Sequence, residues 1–250
     1  MKREKGKIIT VTSSKGGVGK TILLLNLAGI YSNLKKKVLL LDFDFDSGNI
    51  ALNLNLTVKK TIYQVADDIH NHRYLEYKDY ISTYNEYIDV VSSIKDPRQA
   101  SKIDIKDLNL FIDEASYHYD VILIDTTHGL TKNNIFTLDF TDQILYVVSN
   151  DFMDLKNTKN FMAVMKSANF DNIKMVLNES FRPDLEYFNH FDIKSITKKN
   201  IDYTVSSTFF IKNITSYILD GKIYTLTAGS NKHKKDIEKL NRMAKDLLEE

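Results

Sequence analysis

Ser13-Ser14-Lys15-Gly16-Gly17-Val18-Gly19-Lys20-Thr21 is the stretch of this 250-residue sequence in which residue type and spacing speak most directly of chemistry. Glycines let backbone N–H groups converge on phosphate oxygens without Cβ clashes, and a helix opening at Lys20 adds a favourable partial positive charge. A lysine and a hydroxyl at the end of such a loop suit β- and γ-phosphates and a magnesium ion, the roles open to Lys20 and Thr21. A flexible Gly-rich turn is the plain alternative; the strand before the loop and the helix after it argue against that reading. The common phosphate-loop pattern would place glycine at position 14, where this chain has Ser14, and a second lysine, Lys15, stands at the start of the loop.

Carboxylates follow at the ends of apolar runs. Val38–Phe43 leads into Asp42, Asp44 and Asp46, which share one face if the chain stays extended. A calcium loop does not fit, because Gly48 is one place late, position twelve is Asn53 and the preceding run reads as a buried strand. Val121–Asp125 is a second apolar run ending in a carboxylate. Paired with a phosphate loop, Asp125 reads as the residue that holds a magnesium-bound water. His128 follows in Thr127-His128 and could be read as a general base, but in-line attack on phosphate relies on positioning and charge, so it reads as a switch residue and not a catalyst. His70 and His72 lack a third ligand nearby and read as surface residues.

These groups need a scaffold that brings strand ends together. Strands are expected at Lys7–Thr12, Val38–Phe43, Tyr87–Ser92, Val121–Asp125, Gln143–Ser149 and Ile173–Leu177. Helices are expected at about 20–33, at Ile105–Tyr117 and at Asp154–Ala168. Strands alternating with helices predict an α/β fold, doubly wound, with a mostly parallel central sheet flanked by helices. No linker or repeat divides the chain, so residues 1–250 read as a single domain. Ile237, Leu240, Met243, Ala244, Leu247 and Leu248 form one stripe. It reads as a terminal helix docking on the sheet and not as a membrane-surface helix, because it lacks Phe and Trp and ends in Glu249-Glu250.

Composition narrows the classes. Lys and Arg number 34 against 33 Asp and Glu, a net charge of +1, which excludes a globally basic coat for nucleic acid. With 43% hydrophobic and 27% charged residues the chain reads as globular. The absence of cysteine excludes disulfides, thiol nucleophiles and cysteine-held metals. No apolar stretch approaches the roughly eighteen residues of a membrane span, and no signal-peptide core follows the N-terminus. The expected location is cytoplasmic, with recruitment to the inner face of the membrane through a partner.

The run Lys-Gly-Gly-Val-Gly-Lys-Thr resembles the deviant Walker A loop of the MinD/ParA family of P-loop ATPases, and the resemblance covers nearly the whole chain. It implies ATP and Mg²⁺ as cofactors, held by Lys15, Gly16, Gly17, Val18, Gly19, Lys20, Thr21 and Ile22. Members usually carry Thr or Ser at the position of Ile22. The resemblance further implies that Asp42 lies near Mg²⁺ with Thr21 and Asp125, and that Asp44 orients the attacking water. It gives Lys15 a reach across a dimer to the partner's nucleotide, so that Lys15, Lys20 and Asp44 form the catalytic set. Asn178 falls where members contact adenine, and Asp220-Gly221-Lys222 resembles their Gly-Lys/Arg-Pro turn. No guanine signature follows Asn178, which favours ATP. Within the family, residues 46–56 and 95–100 look most like the CpaE/TadZ branch of Flp/Tad pilus assembly.

The implied function is an ATP-dependent, dimerising positional switch for a pilus or secretion complex. The alternatives are a MinD-type division-site ATPase, a ParA-type DNA segregation ATPase and a nucleotide-binding scaffold with negligible hydrolysis. DNA contact would fall to the lysine groups at 35–37, 198–199 and 232–235. Each is also an ordinary solvated loop, and near-neutral charge disfavours DNA.

Overall fold

A computed structural model describes residues 4–180 and 188–249. In chain order the elements are β1 (Lys7–Thr12), α1 (Lys20–Asn33), β2 (Val38–Phe43), α2 (Ile50–Asn53), α3 (Ile62–His70), β3 (Ser82–Thr83), β4 (Ile88–Val91), α4 (Leu108–Ser116) and β5 (Val121–Thr126). They continue with α5 (Lys132–Leu138), β6 (Gln143–Val148), α6 (Phe152–Ser167), β7 (Ile173–Asn178), α7 (His190–Thr197), β8 (Tyr203–Val205), α8 (Ile214–Leu219) and α9 (Lys234–Glu249).

One eight-stranded sheet runs in the order β3-β4-β2-β5-β1-β6-β7-β8. Every pairing is parallel except β3 with β4. The continuous apolar runs reflect burial on both faces. Along β2, Val38 and Leu40 join the core shared with α1 and α9, while Leu39, Leu41 and Phe43 join the opposite core with α3 and α4. β6 divides in the same way, sending Leu145 and Val147 to the first core and Ile144, Tyr146 and Val148 to a third, over α6.

The α1 sequence is apolar on all sides because it is covered on all sides, by the sheet and by the C-terminal segment. Tyr31 in α1 donates its hydroxyl to the Ala244 carbonyl at 2.9 Å, and Leu240, Met243, Ala244 and Leu247 of α9 are buried in the α1 core. The terminal stripe is therefore spent on packing, as expected. No helix among the described residues is long and apolar enough to cross a membrane.

Some boundaries differ from expectation. The segment beginning at Ile105 opens as a 3₁₀ turn over 105–107, with the Asp104 side chain accepting from the Lys106 N–H, and becomes α-helical only at Leu108. The two edge strands, β3 and β8, are too short to show an alternating pattern and were not expected. β2 ends at Phe43, so Asp44 and Asp46 lie in a turn and not on an extended strand. The shared face expected for the three aspartates is lost at that point.

Candidate nucleotide and metal site

The glycine loop crosses the carboxyl edge of the sheet at its centre, between β1 and α1, where parallel α/β sheets bind ligands. Lys20 is 8% exposed, and its ammonium lies 3.2 Å from the Ser13 hydroxyl. Burial lowers its pKa, opposed by the charges of Asp125, Asp44 and Asp154. Gly19 stands at φ +89°, a conformation L side chains rarely adopt, and a Cβ there would sit 2.5 Å from Asn178 Nδ2. Asn178 donates that nitrogen to the Val18 carbonyl at 2.8 Å and accepts from Ser180 through Oδ1. In this structure Asn178 braces the loop, and it also lines the cleft. The Val18 side chain points into the core, so its backbone alone is placed to meet a ligand.

Thr21 donates to Asp125 Oδ2 at 2.5 Å. The other carboxylate oxygen, Asp125 Oδ1, is the one buried side-chain polar atom without a partner among the described residues. Asp42 stands directly beside it in the β2–β5 register. Asp42 accepts the Asp44 N–H through Oδ1 and the Ile50 N–H through Oδ2. Burial raises the pKa of Asp125 to about 6, against the opposing pull of the Thr21 hydroxyl and the Lys20 charge. Burial and then the neighbouring Asp125 push Asp42 well above the usual carboxylate range. Two buried acids that resist ionising together, one with an orphaned oxygen, suit a divalent cation. Among the described residues no three His, Cys, Asp or Glu side chains form a complete cage.

Asp44 lines the cleft, but its carboxylate is turned back on its own loop. Oδ1 accepts from the N–H groups of Asp46 and Ser47, and Oδ2 from the Ser47 hydroxyl. Asp46 accepts from the Thr127 hydroxyl at 3.0 Å, which ties the turn after β2 to the segment after β5. Asn134 in α5 holds that segment through the carbonyls of Thr127 and Gly129. His128 is exposed and lines the cleft beside Gly16 and Gly17. His70 and His72 are exposed and do not line it, and His70 lies beside Asp107.

The front of the loop is held from α6. Lys15 pairs with Asp151 at 3.1 Å, and Asp151 caps α6 by accepting the Asp154 N–H. Ser14 donates its hydroxyl to buried Asp154 and its N–H to the Tyr146 hydroxyl. Asp151, Asp154 and Tyr146 escaped the sequence reading. The Asp-x-x-Asp spacing before an apolar helical pattern was the available signal, though it marks a helix start and not a contact.

The cleft encloses about 560 Å³, within the range of small-molecule sites. Its polar end comprises the glycine loop, Lys20, Thr21 and Asp44. Its apolar end comprises Val205, Phe209, Phe210, Ile211, Ile214 and Ile218, with Ile22 along one side.

Residues 9–250 match the family described as the CobQ/CobB/MinD/ParA nucleotide binding domain. The chain belongs to this family. The septum site-determining protein MinD of Thermotoga maritima is 25% identical over 191 residues, a stretch covering 72% of this chain and 66% of that protein. The chain thus spans just under two thirds of that relative's length. A ParA family ATPase from Chlorobium tepidum has the same fold, with a TM-score of 0.81 at 15% identity over 98% of this chain and 99% of that one. So does MinD of Pyrococcus horikoshii, solved with Mg-ADP, with a TM-score of 0.76 at 22% identity over 97% of this chain and 98% of that one. These likenesses confirm the doubly wound α/β expectation and place the glycine loop in a CobQ/CobB/MinD/ParA domain.

Proposed function

We propose that the chain is one Mg-ATP-dependent ATPase domain that dimerises over its nucleotides and acts as a positional switch. The observation that carries this reading is the orphaned, buried Asp125 oxygen beside Thr21 and Lys20 at the mouth of the glycine loop. In this reading Lys20 and the backbone of residues 16–19 hold the phosphates. Thr21, Asp125 and Asp42 would hold Mg²⁺ directly or through water, and the ion would supply charge neutralisation at the phosphates. Asp44 orients the attacking water once its carboxylate leaves Ser47. Asn178 and the apolar end take the adenine.

Lys15, the extra lysine of the deviant loop, leaves Asp151 to act on the neighbouring copy's nucleotide, where an inserted cation stabilises developing charge. A surface formed only in the ATP-bound dimer lets a partner read the nucleotide state. The stretches 46–56 and 95–100 support a pilus or secretion complex as the positioned machine. The likeness to septum site-determining MinD supports a division site as the second reading. Either role agrees with a chain that works in the cytoplasm and reaches the membrane through a protein partner.

Calorimetry tests the site. Wild-type protein should bind ATP in a Mg²⁺-dependent manner and Lys20→Ala should not; equal affinity in the variant defeats the assignment. Light scattering under saturating Mg-ATP tests the switch. A dimer is expected from Asp44→Ala and a monomer from Lys15→Ala, and a wild-type-like dimer from Lys15→Ala removes its role across the interface. Turnover with and without DNA and liposomes separates the cellular readings.

A further inference from the structure

On the far side of α8 from the nucleotide cleft lies a second concavity of about 800 Å³. Its lining includes Tyr84, Lys212, Ser216, Tyr217, Lys222 and Lys232. Three lysines and one acidic residue line it, and that residue, Asp220, is already paired with Lys222 at 2.8 Å. Neither Lys212 nor Lys232 has an ion-pair partner among the described residues. The two tyrosine rings are fixed in place. Tyr84 accepts the Ile223 N–H through its hydroxyl, and Tyr217 sits edge-on against Tyr224 with centroids 5.0 Å apart.

Lysines gathered along one concave surface concentrate anions, and an ammonium binds phosphate as a point charge. The groove is concave and of small-molecule size, a shape that a duplex or a membrane surface would leave unfilled. Fixed aromatic faces beside the lysines offer a surface to the organic part of a ligand.

We propose that this groove is a binding site for a small phosphorylated anion, distinct from the nucleotide cleft and sharing α8 with it. Helical spacing makes α8 a shared wall. Ile214 and Ile218, one turn apart, line the nucleotide cleft, while Asn213, Ser216, Tyr217 and Asp220 line the basic groove. No residue of α8 is fully buried, and the wall is held to the core mainly by the half-buried Ile214 and Tyr217. A ligand drawn in by Lys212 and Lys232 therefore stiffens the apolar end of the neighbouring cleft.

The test uses inorganic pyrophosphate in calorimetry on the full chain carrying Lys20→Ala, so that the glycine loop is disabled. Binding should persist there and weaken at least tenfold when Lys212→Ala and Lys232→Ala are added. Pyrophosphate should also slow amide exchange across residues 214–219. Three results would overturn the proposal: no binding to Lys20→Ala, binding indifferent to the two lysines, or α8 exchange unmoved by lysine-dependent binding. A short DNA duplex and phosphatidylglycerol vesicles complete the set. Lysine-dependent binding of either one without pyrophosphate binding makes the groove a macromolecular surface and refutes the small-anion site. None of these outcomes depends on ATP hydrolysis, so the proposal and the ATPase reading can fail separately.

Discussion

The glycine-loop end of the cleft and the α8 end are built on opposite terms. At the loop end the chain is tied at three points: Ser14 to Tyr146 and Asp154, Val18 to Asn178, and Thr21 to Asp125. The carboxylates there are buried at the ends of central strands. At the α8 end a six-residue helix without a buried side chain presents Ile214 and Ile218 to the cavity. One end fixes charge in place before any ligand arrives; the other is free to adapt. Rigid placement suits the part of a ligand where chemistry would occur, and tolerance suits the part that only needs burying.

The largest effect that tests this contrast lies in the buried acids. Asp125 titrates near 6 in the folded chain against 3.8 when free, so the native state holds its proton more tightly than the unfolded one. That contribution to stability is complete below pH 3.8 and is lost as pH rises through 6. Without metal or nucleotide, Asp125→Asn should therefore be more stable than wild type at pH 7.5 by about 3 kcal/mol, with the gap closing towards pH 4. Urea midpoints across that range measure it. A variant no more stable at pH 7.5 would mean that the loop end carries no stored charge cost.

Next comes Asp44→Ala, expected to keep ATP binding and lower turnover by at least ~10²-fold in a steady-state assay. Unchanged turnover would move the chemistry away from the turn after β2. At the α8 end the effects should be small. Ile218→Ala should weaken ATP by about five-fold, the scale of roughly 1 kcal/mol for partial loss of apolar contact, and leave thermal stability unchanged. A loss as deep as that of Lys20→Ala would break the contrast between the two ends. The smallest effect is expected from Asp151→Asn. Its ion pair with Lys15 is partly exposed, so the stability cost should stay below about 1 kcal/mol in denaturant titration.

The glycine loop and the five long strands were legible in the sequence because their signals are local: composition, spacing and unbroken apolar runs. The fate of the three aspartates was not. Alternation predicted a common face, but the Asp42 carboxylate accepts the Asp44 N–H and curls the chain at Phe43. Asp44 then closes a turn on Ser47, and Asp46 is drawn off to Thr127. Hydrogen bonds from side chain to backbone compete with strand geometry in ways a period-2 pattern does not register. Lys15 presents the same difficulty at longer range. Its partner Asp151 is 136 residues away, and only the packing of β6 and α6 beside the loop joins them. The basic groove was visible only as scattered lysines, since residues 84, 212 and 232 become neighbours through the fold.

The edges of the sheet carry a consequence of another kind. One edge is a two-residue antiparallel strand, Ser82–Thr83, and the other a three-residue strand, Tyr203–Val205. Adding a foreign strand requires a run of unpaired backbone groups to serve as a template, and neither edge offers one of useful length. Among the described residues, therefore, two copies find little template for fusing their sheets into one continuous ladder or for growing into fibres by strand addition.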